Sequence, residues 1–266
     1  MMLQLLKQED PSHCIMVFDK PGPTFRNEIY SDYKANRASA PDDLKVQFEP
    51  IYQLNTLLNI PLVWRDGVEA DDVIGSLTRK FSTQIPITII SGDKDLTQLV
   101  NEKTTMLDTM SNKRYTPETV QEKFGVPPEL IAQYLAVIGD SSDNIPGISG
   151  IGPKTATKLF RQFGSITGIY ENLEQLKGKQ KETISTSREM VDMSLRLTKI
   201  RCDLEFDDCL DDYKRKDPDV DGLLNFYREM NFRPDGFITA SPDTGSIPAE
   251  PSHNDYKKLD YSRYEL

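Results

Sequence analysis

Residues 139–160 read GDSSDNIPGISGIGPKTATKLF. Two acids, Asp140 and Asp143, open the stretch, and three glycines, Gly147, Gly150 and Gly152, punctuate the turn leading to Lys154 and Lys158. Glycine lets a backbone turn tightly and come close to a ligand. The exposed N–H groups of such a turn, with the N-terminus of the next helix, form an anion site. Lys154 and Lys158, one helical turn apart, then face the same strand of nucleic acid, in contacts that read backbone and not sequence. The bland alternative is an αα-turn with glycine caps. The stretch joins a phosphate-attracting turn to carboxylates that repel phosphate, and a divalent cation between acid and phosphate reconciles the two.

Outward from the hairpin the chain divides into two patterns. PKTATKLFRQFG (153–164) reads as a helix stopped by glycine, PPELIAQYLAVIG (127–139) as another, and residues 182–200 as a third. TPETVQEKFG (116–125) places Thr at the N-cap, Pro at the first helical position and Gly at the end. Before residue 115, short apolar runs alternate with helical patterns. CIMVFD (14–19), IPLVW (60–64), IPITIIS (85–91) and TTMLDT (104–109) read as strands. Residues 40–59 read as a helix interrupted or bent at Pro50, and 68–81 as a helix with an acidic first turn. Such alternation predicts a parallel α/β sheet. The expected organisation is an α/β core over 1–115, an all-α module over 116–234 containing a helix–hairpin–helix at 139–164, and a polar, mobile tail over 235–266.

Acids fall where strands end and helices begin. Asp19 closes the first strand, Glu69, Asp71 and Asp72 form an ExDD group at a helix start, and Asp93 and Asp95 follow a strand in SGDKD. In parallel α/β sheets ligands bind beyond the carboxyl ends of the strands, which puts Asp19 and the SGDKD pair on one rim. Any one of these acids serves ordinarily as a turn former or cap. Together with Asp140 and Asp143 they would repel strongly without a cation, and an oxygen-only donor set suits Mg²⁺ or Mn²⁺. Two such ions can activate a water and stabilise the leaving oxygen in phosphodiester hydrolysis.

Composition limits the alternatives. The 266 residues carry 32 Lys and Arg against 42 Asp and Glu, a net charge of −10. That total alone disfavours a nucleic-acid partner. It hides a basic segment, however: residues 154–201 hold 10 Lys and Arg against 5 Asp and Glu, whereas 203–266 hold 8 against 16. Cys14, Cys202 and Cys209 lack metal-type spacing and leave one unpaired, as expected of reduced thiols in the cytoplasm. Two histidines, His13 and His253, leave little room for histidine catalysis. No run of about eighteen apolar residues predicts a membrane span. Arg26, Lys34 and Arg37 lie among Tyr30 and Tyr33, so this segment either stacks bases and binds phosphate or packs with its charges solvated.

VFDKPGPTFRNEIYSDYKANR, GVEADDVIG, SGDKDLTQLV and GDSSDNIPGISGIGPKTA, in this order and spacing, resemble the 5′→3′ exonuclease domain of bacterial DNA polymerase I, of the flap endonuclease family. The resemblance covers about residues 13–206 and implies a PIN/resolvase-like nuclease core with a helix–hairpin–helix module. It implies a structure-specific 5′ nuclease that cleaves DNA at flaps, nicks and duplex junctions with two Mg²⁺ or Mn²⁺ ions. Asp19, Glu69, Asp71, Asp72 and Asp93 would line the first metal site or its water shell, and Asp95, Asp140 and Asp143 would hold the second. Lys34 and Arg37 would steer the scissile phosphate. Arg26 would join them, with Gly147, Gly150, Gly152, Lys154 and Lys158, in binding DNA, with K⁺ at the hairpin carbonyls. A monomer, with a DNA polymerase as partner, is expected.

One departure concerns the start. Family members begin with an earlier strand bearing a metal-binding Asp in a pattern like LVDGS, whereas MMLQLLKQEDPSH resembles the end of the helix that follows it. The expectation is weakened first-metal binding and poor or absent cleavage. That leaves two competing readings: a catalytically inactive DNA-junction binding protein and, more remotely, an RNA-cleaving PIN-type enzyme.

Overall fold

The structure is a computed structural model that describes residues 2–232. Helices are α1 (Met2–Glu9), α2 (Phe25–Ile29), α3 (Asp42–Lys45), α4 (Phe48–Leu57), α5 (Ala70–Phe81), α6 (Pro117–Phe124), α7 (Ile131–Ile138), α8 (Pro153–Phe163), α9 (Ile166–Glu171), α10 (Gly178–Thr186), α11 (Arg188–Thr198) and α12 (Val220–Glu229). Strands are β1 (Met16–Val17), β2 (Leu62–Val63), β3 (Ile87–Ile90), β4 (Thr104–Asp108) and β5 (Lys113–Tyr115). The expected tail over 235–266 lies outside the described residues.

The strands form two sheets. β1 pairs in parallel with β2, with Met16 opposite Leu62. β3 pairs in parallel with β4, and β4 pairs antiparallel with β5. Among the described residues no strand joins β1 to β3, and α5 packs against both. β5 was not anticipated: only one of its three side chains, Tyr115, is buried, so no apolar run marks it. The helix expected over 40–59 is two helices, and the break falls at Val46 and Gln47, not at Pro50. Pro50 is the third residue of α4, in the first turn, where a missing N–H costs no intrahelical hydrogen bond.

Local chemistry sets the other ends. Thr116 caps α6, accepting a bond from the Thr119 N–H, and Pro117 follows at the first position. α5 begins with a capping box in which Glu69 and Asp72 serve each other's backbone, and it ends with Arg79 and Lys80 near its negative pole. The largest apolar cluster runs across residue 115: Ile89, Leu96, Met106 and Tyr115 pack with Val120, Ile131, Leu135, Ile151 and Leu159. Burying a side chain of this kind stabilises by roughly 1.5–3 kcal/mol. A second cluster brings Phe206 and Tyr213 back onto Val73, Leu77 and Phe81 of α5. The helical half is thus fixed against the sheets, and what it carries at its loops is held in place relative to the strand ends.

Candidate active site

The turn after α7 is held by reciprocal backbone bonds between Asp140 and Ile145, of 2.9 and 2.8 Å. It sits on the segment after α2: the Lys34 N–H donates to the Asp143 carbonyl (2.9 Å), Asn144 Nδ2 to the Asp32 carbonyl (2.7 Å) and Asn36 Nδ2 to the Ser141 carbonyl (2.6 Å). Lys34 adopts a positive φ of 57°, uncommon for a residue with a side chain. These contacts carry Asp140 and Asp143 from the helical half to the acids of the α/β half.

Four of the eight predicted metal residues have cations of their own. Asp72 is fully buried and accepts from Arg26 Nη1 at 2.7 Å and Nη2 at 2.9 Å, and from the N–H groups of Arg201 (2.9 Å) and Glu69 (3.1 Å). Both Asp72 oxygens are thus taken up by protein donors, and neither is left unpaired for an ion, which departs from the expectation that Asp72 lines the first metal site. Arg26 is corrected with it. It is 2% exposed, donates from Nε to the Leu197 carbonyl (2.8 Å) and does not face DNA. Burial alone would lower the guanidinium's pKa, but Asp72, then Glu69, raise it. Glu69 pairs with Lys34 Nζ at 2.5 Å and lies 3.3 Å from Arg26. Asp143 pairs with Arg37 at 2.5 Å, and Asp140 with Lys94. Burial works to raise the Asp140 carboxyl, but Lys94 and then the Ser142 hydroxyl hold it below the usual range.

Among the described residues the remaining acids have no cation at ion-pair distance. Asp19 accepts only the Ala70 N–H (2.7 Å), and Asp93 caps the short 3₁₀ helix by accepting the Asp95 N–H (2.9 Å). Burial, followed by the charges of Asp93, Glu69, Asp95 and Asp19, pushes Asp71 up to about 7. Burial and Asp93 push Asp95 up to about 7 as well, with Lys94 opposing and Asp140 and Asp143 adding to the rise. These couplings tie seven carboxylates into one electrostatic unit. Asp95 Oδ1 is buried with no hydrogen-bond partner. A buried carboxylate oxygen without a partner, among like charges, is costly unless a cation meets it. The donor set therefore fits hard divalent ions, although no three of these acids among the described residues stand closed up as a ready-made metal cage.

Tyr33 belongs to the site, and its role was not legible from the sequence. It is buried, and its hydroxyl lies 3.0 Å from Glu69 Oε2 and 3.3 Å from Asp143 Oδ2. One O–H can donate to only one of them at a time. Burial first, then both carboxylates, raise its pKa.

At the hairpin the three glycines differ. Gly147 packs so tightly on the backbone of Ile138 and Gly139 that any Cβ would collide, so its smallness serves the fold. Gly150 has a φ of +77° and open space beside it. Gly152 precedes α8, also in open space. Lys154 and Lys158 are exposed on α8, and among the described residues neither has an ion-pair partner.

An acid-rimmed α/β core completed by two aspartates from a helical module defines a resolvase-like nuclease. Residues 1–125 match the family model of the N-terminal resolvase-like domain of 5′-3′ exonucleases, and residues 126–221 that of their C-terminal SAM fold. The 5′-3′ exonuclease of Aquifex aeolicus (strain VF5) is 41% identical over 234 residues, covering 88% of this chain and 80% of that protein. DNA polymerase I of Pseudomonas aeruginosa is 42% identical over 243 residues, covering 88% of this chain and 26% of the polymerase. The structure of T5 5′-exonuclease with divalent metal ions (zinc) bound superposes with a TM-score of 0.63 at 27% identity, covering 74% of this chain and 78% of that one. The catalytic core of Rad2 in complex with DNA substrate shares the fold, with a TM-score of 0.58 at 17% identity over 86% of this chain and 75% of its own. The chain belongs to the 5′-3′ exonuclease family and is a nuclease. It spans about a quarter of the polymerases it matches.

No helix among the described residues is long and apolar enough to cross a membrane.

Proposed function

We propose that this chain hydrolyses DNA phosphodiesters at 5′ flaps, nicks and duplex junctions, with two Mg²⁺ or Mn²⁺ ions held by its acidic rim. The observation that carries the reading is the unpaired, buried Oδ1 of Asp95 amid acids that raise one another's pKa. Asp19, Asp71 and Asp93, with Glu69, would hold one ion, and Asp95, Asp140 and Asp143 the other. When bound, such ions activate a water and stabilise the leaving oxygen.

The chain's own residues do the rest. Lys34 and Arg37 adjoin Glu69 and Asp143 and supply positive charge for the scissile phosphate, while Tyr33 keeps those two acids in register. Lys154 and Lys158 grip the duplex backbone, with K⁺ at the hairpin as part of that grip. The protein works as a monomer in the reducing cytoplasm, its three cysteines free, and acts beside a DNA polymerase.

The test is cleavage of a labelled 5′-flap duplex with Mg²⁺, with EDTA, and by Asp71→Asn. Flap release in Mg²⁺, none in EDTA, and a rate lower by about 10²–10³ for the variant are expected, the scale for removing one charge-stabilising group from an active site. Binding without cleavage in Mg²⁺ would overturn the hydrolytic reading in favour of a junction-binding protein.

A further inference from the structure

Beyond the acidic rim, α2 has a second side. The guanidinium of Arg26 reaches Asp72 and Glu69, whereas Phe25 and Ile29 floor a groove of about 590 Å³. Four cationic residues line this groove: Arg79 from the end of α5, Arg196 from α11, and Lys199 and Arg201 from the segment that follows. Asp203 is the only acid among the lining residues, and it pairs with Arg201 at 3.1 Å. Arg79, Arg196 and Lys199 are exposed, and among the described residues none of them has an ion-pair partner. Arg201 lies 5.3 Å from the centroid of the Phe25 ring, which holds that guanidinium against an apolar residue of the groove.

Net charge in the groove is positive in a chain whose total is −10. Cations brought together repel, and of the four only Arg201 has an ion-pair partner among the described residues. A concave surface with an apolar floor and a cationic rim matches the two components of a nucleic-acid strand, sugar and base on one side and phosphate on the other. We infer that this groove is a second phosphodiester-backbone site, taking a part of the substrate away from the scissile bond. The inference rests on the nuclease reading: α2 lies between groove and acidic rim, so one substrate can engage both. The groove is separate from Lys154 and Lys158 of the hairpin, which are not among its lining residues.

The experiment compares wild type with Arg196→Ala/Lys199→Ala. The Lys199 carbonyl that accepts from Arg26 is backbone and survives the change. A labelled 5′-flap duplex is titrated in Ca²⁺ across a KCl series, cleavage is measured in Mg²⁺, and thermal unfolding checks the fold. Removing two phosphate contacts should flatten the slope of log K against log salt by about 1.4–1.8. KM should rise about tenfold, with kcat and Tm unchanged. Asp203→Asn should shift affinity the other way, tightening it severalfold. Substrates lacking either the flap or one duplex arm locate the strand: for the one that no longer fills the groove, wild type and double variant bind alike. If wild type cleaves and the double variant keeps its salt slope and KM, the groove inference is overturned while the nuclease reading stands. If wild type neither binds nor cleaves, the nuclease reading falls and takes this one with it.

Discussion

Two groups of carboxylates share one rim under opposite conditions. Asp72, Glu69, Asp140 and Asp143 each have a lysine or arginine at ion-pair distance. Asp19, Asp71, Asp93 and Asp95 have none, and two of them are pushed up to about 7. The first group meets its repulsion with the protein's own cations when no metal is bound. The second leaves it standing, and only a ligand can remove it. The division also follows the chain. Arg26, Lys34 and Arg37 sit on or just after α2, while the unpaired acids follow β1 and β3 or begin α5. α2 and the residues after it therefore neutralise Asp72, Glu69 and Asp143, Lys94 beyond β3 neutralises Asp140, and the four remaining acids are left to metal alone.

The comparison breaks most visibly at Arg26. Arg26→Ala leaves Asp72 charged, buried and without its partner, which costs about 3–5 kcal/mol. For a domain of this size that lowers the unfolding midpoint by roughly 10 °C or more. Asp93→Asn removes an acid that has no cation, and its midpoint should stay level or rise. Thermal unfolding of the two variants in metal-free buffer is the check. Equal losses would mean that the two groups are not different in kind.

A second test uses pH. Asp71 and Asp95 hold their protons in the folded state up to about 7 against an ordinary 3.8, and the unfolded chain releases them earlier. The stability this gives is complete below about pH 4 and is lost as pH rises through 7. Asp95→Asn does not titrate. In EDTA its advantage in unfolding midpoint over wild type should therefore grow between pH 5 and pH 8, reaching roughly 5 °C. Mg²⁺ should close the gap by stabilising wild type alone. A gap independent of pH, or indifferent to Mg²⁺, would place Asp95 outside the coupled cluster.

The rim was legible because strand-end acids have a positional rule behind them, and Asp19, Asp93 and Asp95 obey it. Helix ends at Thr116, Gly125 and Gly164 were legible through capping chemistry. What stayed hidden depends on partners remote in sequence. Arg26 lies 46 residues from Asp72 and 171 from Leu197, and an arginine in a mixed segment carries no local sign that it will be buried. Gly147 looked like its neighbours Gly150 and Gly152, yet only the tertiary contact with Ile138 and Gly139 separates a packing glycine from two open ones. Pro50 misled because its effect depends on where the helix begins, and α4 begins only two residues before it.

The finest distinction is Tyr33, which touches only acids of the neutralised flank. Its hydroxyl donates to one of Glu69 and Asp143 at a time, and both already have cations, so its loss is cushioned. A hydrogen bond to a charged group is worth about 1.5–3 kcal/mol. With Lys34 and Arg37 in place, Tyr33→Phe should fall at the low end and lower cleavage about tenfold. If the hydroxyl positions the acids, the Mg²⁺ concentration for half-maximal rate should rise and saturating Mg²⁺ should restore most activity. If Tyr33 merely packs, phenylalanine fills the same space and the Mg²⁺ dependence stays put. A loss that saturating Mg²⁺ cannot recover would instead put the hydroxyl at the reacting phosphate, and Tyr33 would move from the neutralised flank to the catalytic one.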